Sequence, residues 1–236
     1  MIEIKSISKR FGKLQVLNKV NLECFRGECI ALIGPNGCGK TTLIKSILGM
    51  VLPDDGEILF KGKSINQDFV YRSEIGYMPQ IGCYPDNMTI GQVIEMIKNI
   101  RQHKGSYDEM LYHQFILPEM LNKRMSTLSG GTRQKVSAVL AFLFNPDVLI
   151  LDEPTAGLDP LAAETLKEKI IAEKQNGKLI LITSHQLSEL DDLISQIVFM
   201  NEGQVIFHKT VDALKDETGE LRISKAITKI LISSMV

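Results

Sequence analysis

The chain has 236 residues, 44% of them hydrophobic, enough for a full core in one domain or in a domain with a subdomain. A formal net charge of −1 provides no basic footprint for duplex nucleic acid, so no nucleic-acid partner is expected. No stretch approaches the roughly 18 consecutive apolar residues of a membrane span, and Met1-Ile2-Glu3-Ile4-Lys5 lacks the apolar core of a secretion signal. These two features together predict a soluble intracellular protein, and Cys24, Cys29, Cys38 and Cys83, which contain no C-x-x-C pair, are expected to be reduced thiols and not a metal site.

In chain order, Ile2-Glu3-Ile4, Val16 to Cys24 and Gly56 to Phe60 have strand character and predict an antiparallel region. Cys29-Ile30-Ala31-Leu32-Ile33 is an apolar strand. It leads into Gly34-Pro35-Asn36-Gly37-Cys38-Gly39-Lys40-Thr41, which fits G-x-x-x-x-G-K-[ST], and Thr42 to Leu48 has the apolar spacing of a helix. This is the context of a phosphate-cradling loop for a nucleoside triphosphate. Gly34, Gly37 and Gly39 let successive N–H groups turn toward one point, and the helix starting near Lys40 adds its positive dipole end. Lys40 supplies a charge to the β and γ phosphates, and the Thr41 hydroxyl suits Mg²⁺. Pro35, Asn36, Cys38 and Thr42 complete the nucleotide-binding loop, with Cys38 where the backbone nears the phosphates and bulk has no room.

Ile75 to Pro79 reads as a strand followed by Gln80, and from Ile81 to Asn145 apolar residues such as Val93, Ile94, Ile97 and Ile100 recur at helical spacing. Met88, Met96, Met110, Met120 and Met125 in that stretch read as core filler rather than soft-metal ligands. Leu128-Ser129-Gly130-Gly131-Thr132 precedes a helical pattern from Arg133 to Phe144; Ser129 suits an N-cap, and the two glycines offer backbone N–H groups for a second anion. Val148-Leu149-Ile150-Leu151 reads as a strand buried on both faces and ends in Asp152-Glu153-Pro154. Two acids there need a cation or a substrate. Asp152 would hold Mg²⁺ through water, and Glu153 would orient and polarise the attacking water. Asp159 and Pro160 suit an N-cap and the first helical position, Leu179 to Ser184 is an apolar strand ending at His185, and Gln196 to Phe207 reads as a hairpin around Gly203. Ile223, Ile227, Ile230 and Leu231 give the tail an apolar helical face expected to pack on its own core.

Taken together, the Gly34–Thr41 loop, Leu128-Ser129-Gly130-Gly131-Thr132, Asp152-Glu153 and Ala156-Gly157-Leu158-Asp159 resemble the ATP-binding-cassette (ABC) family. Thr132 stands where that family most often has glutamine. The resemblance implies that Ser129, Gly130 and Gly131 contact the γ-phosphate held by an opposite subunit, and that Asp159 lies in a loop communicating between subunits. It implies that Gln80 touches Mg²⁺ or the lytic water, that His185 hydrogen-bonds the γ-phosphate, and that Phe11 stacks on adenine. The implied fold is α/β: a RecA-like P-loop NTPase core with its antiparallel β region from residues 1–80 and 146–208, an inserted α-helical subdomain over 81–145, and a helical tail over 209–236. The implied activity is Mg²⁺-dependent ATP hydrolysis in a head-to-tail dimer of this chain, bound to integral membrane permease subunits at the cytoplasmic face of the membrane.

The segments Leu128 to Lys135, Asn145-Pro146-Asp147, Thr155 to Leu161 and Ser184 to Leu190 look like ATPases of the ABC-2 type, and within these they are similar to the ATPase serving copper-site maturation of nitrous oxide reductase. A soluble ABC ATPase acting on ribosomes or DNA is the alternative. Ribosome-acting members usually carry two cassettes, and DNA-repair members place a long coiled coil between P-loop and signature. This chain has one of each motif and no heptad array.

Overall fold

The computed structural model describes residues 1–66, 69–184 and 191–233. In chain order its elements are β1 (Ile2–Phe11), β2 (Leu14–Cys24), β3 (Cys29–Ile33), α1 (Lys40–Ile47), β4 (Asp55–Phe60), β5 (Lys63–Ser64), β6 (Ile75–Met78), α2 (Ile90–Arg101), α3 (Met110–Gln114), α4 (Gly130–Phe142), β7 (Val148–Asp152), α5 (Pro160–Gln175), β8 (Leu179–Thr183), β9 (Gln196–Asn201), β10 (Gln204–Thr210), α6 (Val211–Thr218) and α7 (Ile223–Ser233). Two compact units divide them: Met1–Tyr71 with Leu181–Val236, and Arg72–Ile180. The chain passes from the second back to the first within β8.

The first unit contains the antiparallel sheet expected near the N-terminus, in the order β2-β1-β4-β5. β1 runs well past Ile4 because Ser6 takes a φ of +51° and shifts the register, so that Ile7 buries again after Ile2 and Ile4. Asn21 Oδ1 accepts the Ser6 N–H at 2.9 Å and holds the irregularity. β3 has no exposed residue and pairs in parallel with β9, which pairs antiparallel with β10 as the Gln196 to Phe207 pattern predicts. In α7, Ile223, Ala226, Ile227 and Ile230 are buried while Leu231 is half-exposed, and Lys229 Nζ donates to Thr218 O of α6 at 2.6 Å. Each buried isoleucine there stabilises the fold by about 1.5–3 kcal/mol relative to leaving it in water.

In the second unit β6 and β7 pair in parallel, Met78 opposite Leu151, and every residue of β7 is buried. α2 starts with a reciprocal cap: Gln92 N–H donates to Thr89 Oγ1 at 3.3 Å, and Thr89 N–H to Gln92 Oε1 at 2.9 Å. Val93 and Ile94 are buried, but Ile100 is exposed, against the periodicity. The reason is Arg101, which turns inward to donate to Ile75 O at 3.0 Å and lies 4.9 Å from the Phe144 ring centroid, so the last turn presents Ile100 to solvent. The methionines also depart from expectation: Met125 is fully buried, Met88, Met96 and Met120 are half-buried, and Met110 is exposed. Of these five, Met125 alone is fully buried as core filler.

Charge is buried in this unit. Lys169, 6% exposed, pairs with Asp108 and, at 2.6 Å, with Glu173 Oε1; Glu173 also pairs with Lys178, whose Nζ donates to Asn145 Oδ1 at 2.5 Å. Burial lowers the Lys169 pKa, but its hydrogen bonds to Asp108 and Glu173 outweigh that and raise it, so the ammonium stays charged at neutral pH. The network joins α5, the turn before β7 and the connection ahead of α3. Lys169→Met leaves two carboxylates short of a partner and should lower the unfolding free energy by about 3–5 kcal/mol in urea titration. Replacing Glu164 of the exposed Lys167–Glu164 pair should change it by less than about 1 kcal/mol.

Candidate functional site

The phosphate-loop residues all lie in the first unit. β3 is buried to its last residue, so the chain must turn at once after Ile33. It does so through Gly34 (φ +149°), Gly37 (φ +80°) and Gly39 (φ +107°). A Cβ on Gly34 would lie 2.1 Å from Met200 O, and one on Gly39 would lie 2.6 Å from Val16 O. Those two positions exclude any side chain. α1 begins at Lys40 with Gly39 as N-cap, no side chain capping it and no acid in its first turn, so its dipole end is not neutralised locally. Lys40 Nζ folds back along the loop, donating to Gly34 O at 2.8 Å and Pro35 O at 3.1 Å. Pro35, Asn36 and Thr41 are exposed and Thr42 half-buried. Cys38 is only 3% exposed, with its Sγ facing Gly34 and 3.8 Å from Lys40 Nζ; Cys83, in the second unit, is the exposed thiol. Phe11 ends β1 with half its surface exposed and Lys9 Nζ 5.6 Å from its ring centroid.

The carboxylates and the signature turn lie in the second unit. Asp152 closes β7, 8% exposed. Glu153 follows at φ +49°, a left-handed conformation that a non-glycine residue adopts only when its surroundings enforce it. A tight turn enforces it, with Ala156 N–H donating to Glu153 O at 3.1 Å and Gly157 at φ +76°. Because Met78 pairs with Leu151, Gln80 and Asp152-Glu153 leave β6 and β7 at the same end. The Tyr77 hydroxyl, one strand from Asp152, has its pKa raised by burial first and by the Asp152 charge second.

Ser129 is the N-cap of α4, its Oγ accepting the Thr132 N–H at 3.2 Å and lying 3.0 Å from Thr132 Oγ1. Thr132, the departure from the family's glutamine, therefore pairs with the capping serine. Gly130 is exposed and a Cβ on it would meet nothing within 4 Å. Gly131 is different: its Cβ would lie 2.6 Å from Gly157 O. Asp159 caps α5 through Oδ1 at 2.9 Å from Ala162 N and receives Lys135 Nζ on Oδ2 at 2.6 Å, which together hold its carboxyl below the usual range, the lysine bond counting most. Sequence reasoning assigned no role to Gln134 or Lys135, although both contact this segment. A glutamine amid the apolar positions of α4 was the available signal. His185 lies outside the described residues.

The ABC transporter family model matches residues 17–156. The lantibiotic transport ATP-binding protein SrtF of Streptococcus pyogenes is 34% identical over 232 residues, spanning 90% of this chain and 92% of that protein. A solved structure of an ATP-binding subunit of an ABC transporter, 30% identical, superposes with a TM-score of 0.89 over 98% of this chain and 99% of that one. A dimeric ATP-binding cassette, MJ0796, in a post-hydrolysis state bound to ADP and Pi has the same fold, with a TM-score of 0.77 and 22% identity over 89% of this chain and 99% of that one. The RecA-like P-loop core that the resemblance implied is the fold of these cassettes, and the chain belongs to the ABC transporter family as an ATP-binding, ATP-hydrolysing cassette.

Proposed function

We propose that this cassette drives a membrane transporter by closing, as a dimer of two copies, over two ATP molecules and opening again after hydrolysis. The observation that carries the dimer is Gly130. Glycine in a helix costs about 1 kcal/mol relative to alanine, and Gly130 has neither a left-handed backbone nor, among the described residues, a neighbour that a Cβ would meet. Close approach of a ligand held by another molecule would account for it. A partner's γ-phosphate fits, because the turn with exposed Ser129 and Gly130 is a second helix start able to offer backbone N–H groups to an anion, in a chain that already has one phosphate loop.

In this reading the Gly34–Gly39 backbone and Lys40 hold the β and γ phosphates, with Pro35, Asn36, Cys38 and Thr42 completing the loop and Phe11 stacking on adenine. The oxygen donors Thr41, Asp152 and Gln80 suit Mg²⁺, a hard cation that neutralises phosphate charge. Glu153 accepts a proton from the attacking water and aligns it in line with the γ-phosphate, His185 hydrogen-bonds that phosphate, and Asp159 links the two nucleotide sites. Among the described residues no helix is long and apolar enough to cross a membrane. Transport therefore calls for integral permease subunits, with this chain peripheral on the cytoplasmic side. SrtF serves lantibiotic transport; the likeness to the copper-maturation ATPase stays one of sequence, with no support from the scattered methionines.

Glu153→Gln keeps the side-chain volume and removes the base, so a stable ATP-dependent dimer should appear on size-exclusion chromatography. Adding Ser129→Arg should abolish that dimer while ATP affinity stays within about twofold, because the phosphate loop is untouched. A double mutant that still dimerises refutes the trans role of Ser129.

The buried thiol sets a second expectation. A maleimide should label Cys83 first; in a Cys83→Ser background, slow labelling of Cys38 should abolish ATP binding, and ATP should protect against it. Full ATPase activity after stoichiometric labelling of Cys38 contradicts its placement against the phosphates. Finally, photocrosslinkers placed between Ile81 and Met96 should capture an integral membrane protein in native membranes; capture of ribosomal or DNA-bound proteins instead favours the soluble alternative.

A further inference from the structure

Helix α4 does more than present the Ser129 turn. Its first turns grip the whole segment from Glu153 to Asp159, all within residues 72–180. Gln134, 5% exposed, points its Nε2 at Glu153 O at 3.4 Å, the long end of a hydrogen bond. Lys135 Nζ bonds Asp159 Oδ2 at 2.6 Å and lies 5.8 Å from the Phe115 ring centroid. Gly131 packs so closely on Gly157 that no Cβ fits between them. Three positions of one helix thus contact the start, the middle and the end of the turn that carries the candidate base. That turn is the one in which Glu153 is held at φ +49°.

We propose that Gln134 and Lys135 are positioning residues for ATP hydrolysis. They tie the Glu153–Asp159 turn to the signature helix of the same chain, so that docking of a partner's nucleotide on Ser129 sets the orientation of Glu153. The inference rests on the dimer reading above, in which Ser129 and Glu153 of one chain serve different ATP molecules. The link is rigid where it must be: a buried amide is costly without its partner, and the short charge-assisted bond of Lys135 is directional. A shift of the helix start then moves the carboxylate with it, and small misplacements of a base are expensive in rate.

The test uses the full chain with saturating ATP. Lys135→Met and Gln134→Leu should each lower kcat about ten- to a hundredfold, with KM and the affinity for a fluorescent ATP analogue unchanged within about twofold. Lys135→Arg should recover most of the rate. Asp159→Asn keeps the helix cap but loses the charge, and combined with Lys135→Met should be no slower than either single variant, because both remove one interaction. Unchanged kcat in both Lys135→Met and Gln134→Leu, losses that multiply in the double variant, or affinity that falls in step with kcat overturns the inference. In the Glu153→Gln background, Lys135→Met should still permit the ATP-dependent dimer. No dimer with Glu153→Gln alone overturns the sandwich reading, whereas a dimer lost only on adding Lys135→Met overturns the positioning role.

Discussion

Strands β3 and β7 have no exposed face, and much of the chemistry depends on that constraint. A strand buried on both sides cannot carry a polar group along its length, so polar groups collect where it ends and the chain must turn at once. After β3 the turn is made of glycines whose missing Cβ atoms let the backbone pass Met200 O and Val16 O. After β7 it is made by Asp152, still buried, and by Glu153 in a left-handed conformation. The second turn stores conformational cost at Glu153 that the packed strand behind it sustains, whereas the glycines of the first reach positive φ without strain.

The two units contribute different kinds of order. In the first, the phosphate loop is fixed by steric exclusion: Gly34 and Gly39 admit no substitute, and Cys38 fills the remaining space. In the second, order comes from polar side chains on helices. Lys169, Glu173, Lys178 and Asp108 hold α5 to the loops around it, and Gln134 and Lys135 hold the turn between β7 and α5.

The phosphate loop, the N-caps at Ser129 and Asp159, the buried strands and the hairpin around Gly203 were legible because each is encoded locally: a glycine pattern, a capping residue three positions before the N–H it accepts, an unbroken apolar run. Periodicity failed at Ile100, where Arg101 takes the inward position, and in the methionines, whose flexible side chains suit many environments and mark none. The alternation of β1 breaks at Ser6, so the sequence marks only its first residues, and pairing with β2 and β4 carries the strand past the bulge.

By itself, then, the sequence determined the nucleotide chemistry and the order of the elements, since phosphate recognition depends on residues adjacent in the chain. Tertiary structure decided what depends on distant residues meeting. It made Cys38 a buried wedge rather than an open thiol, set Gly131 against Gly157, left Gly130 open, and brought Gln134 and Lys135 onto the turn bearing Glu153. Nothing in the spacing of Lys135 and Asp159 announces their ion pair. It exists because α4 is followed by a buried strand that returns the chain to the start of the same helix, and only packing fixes that return.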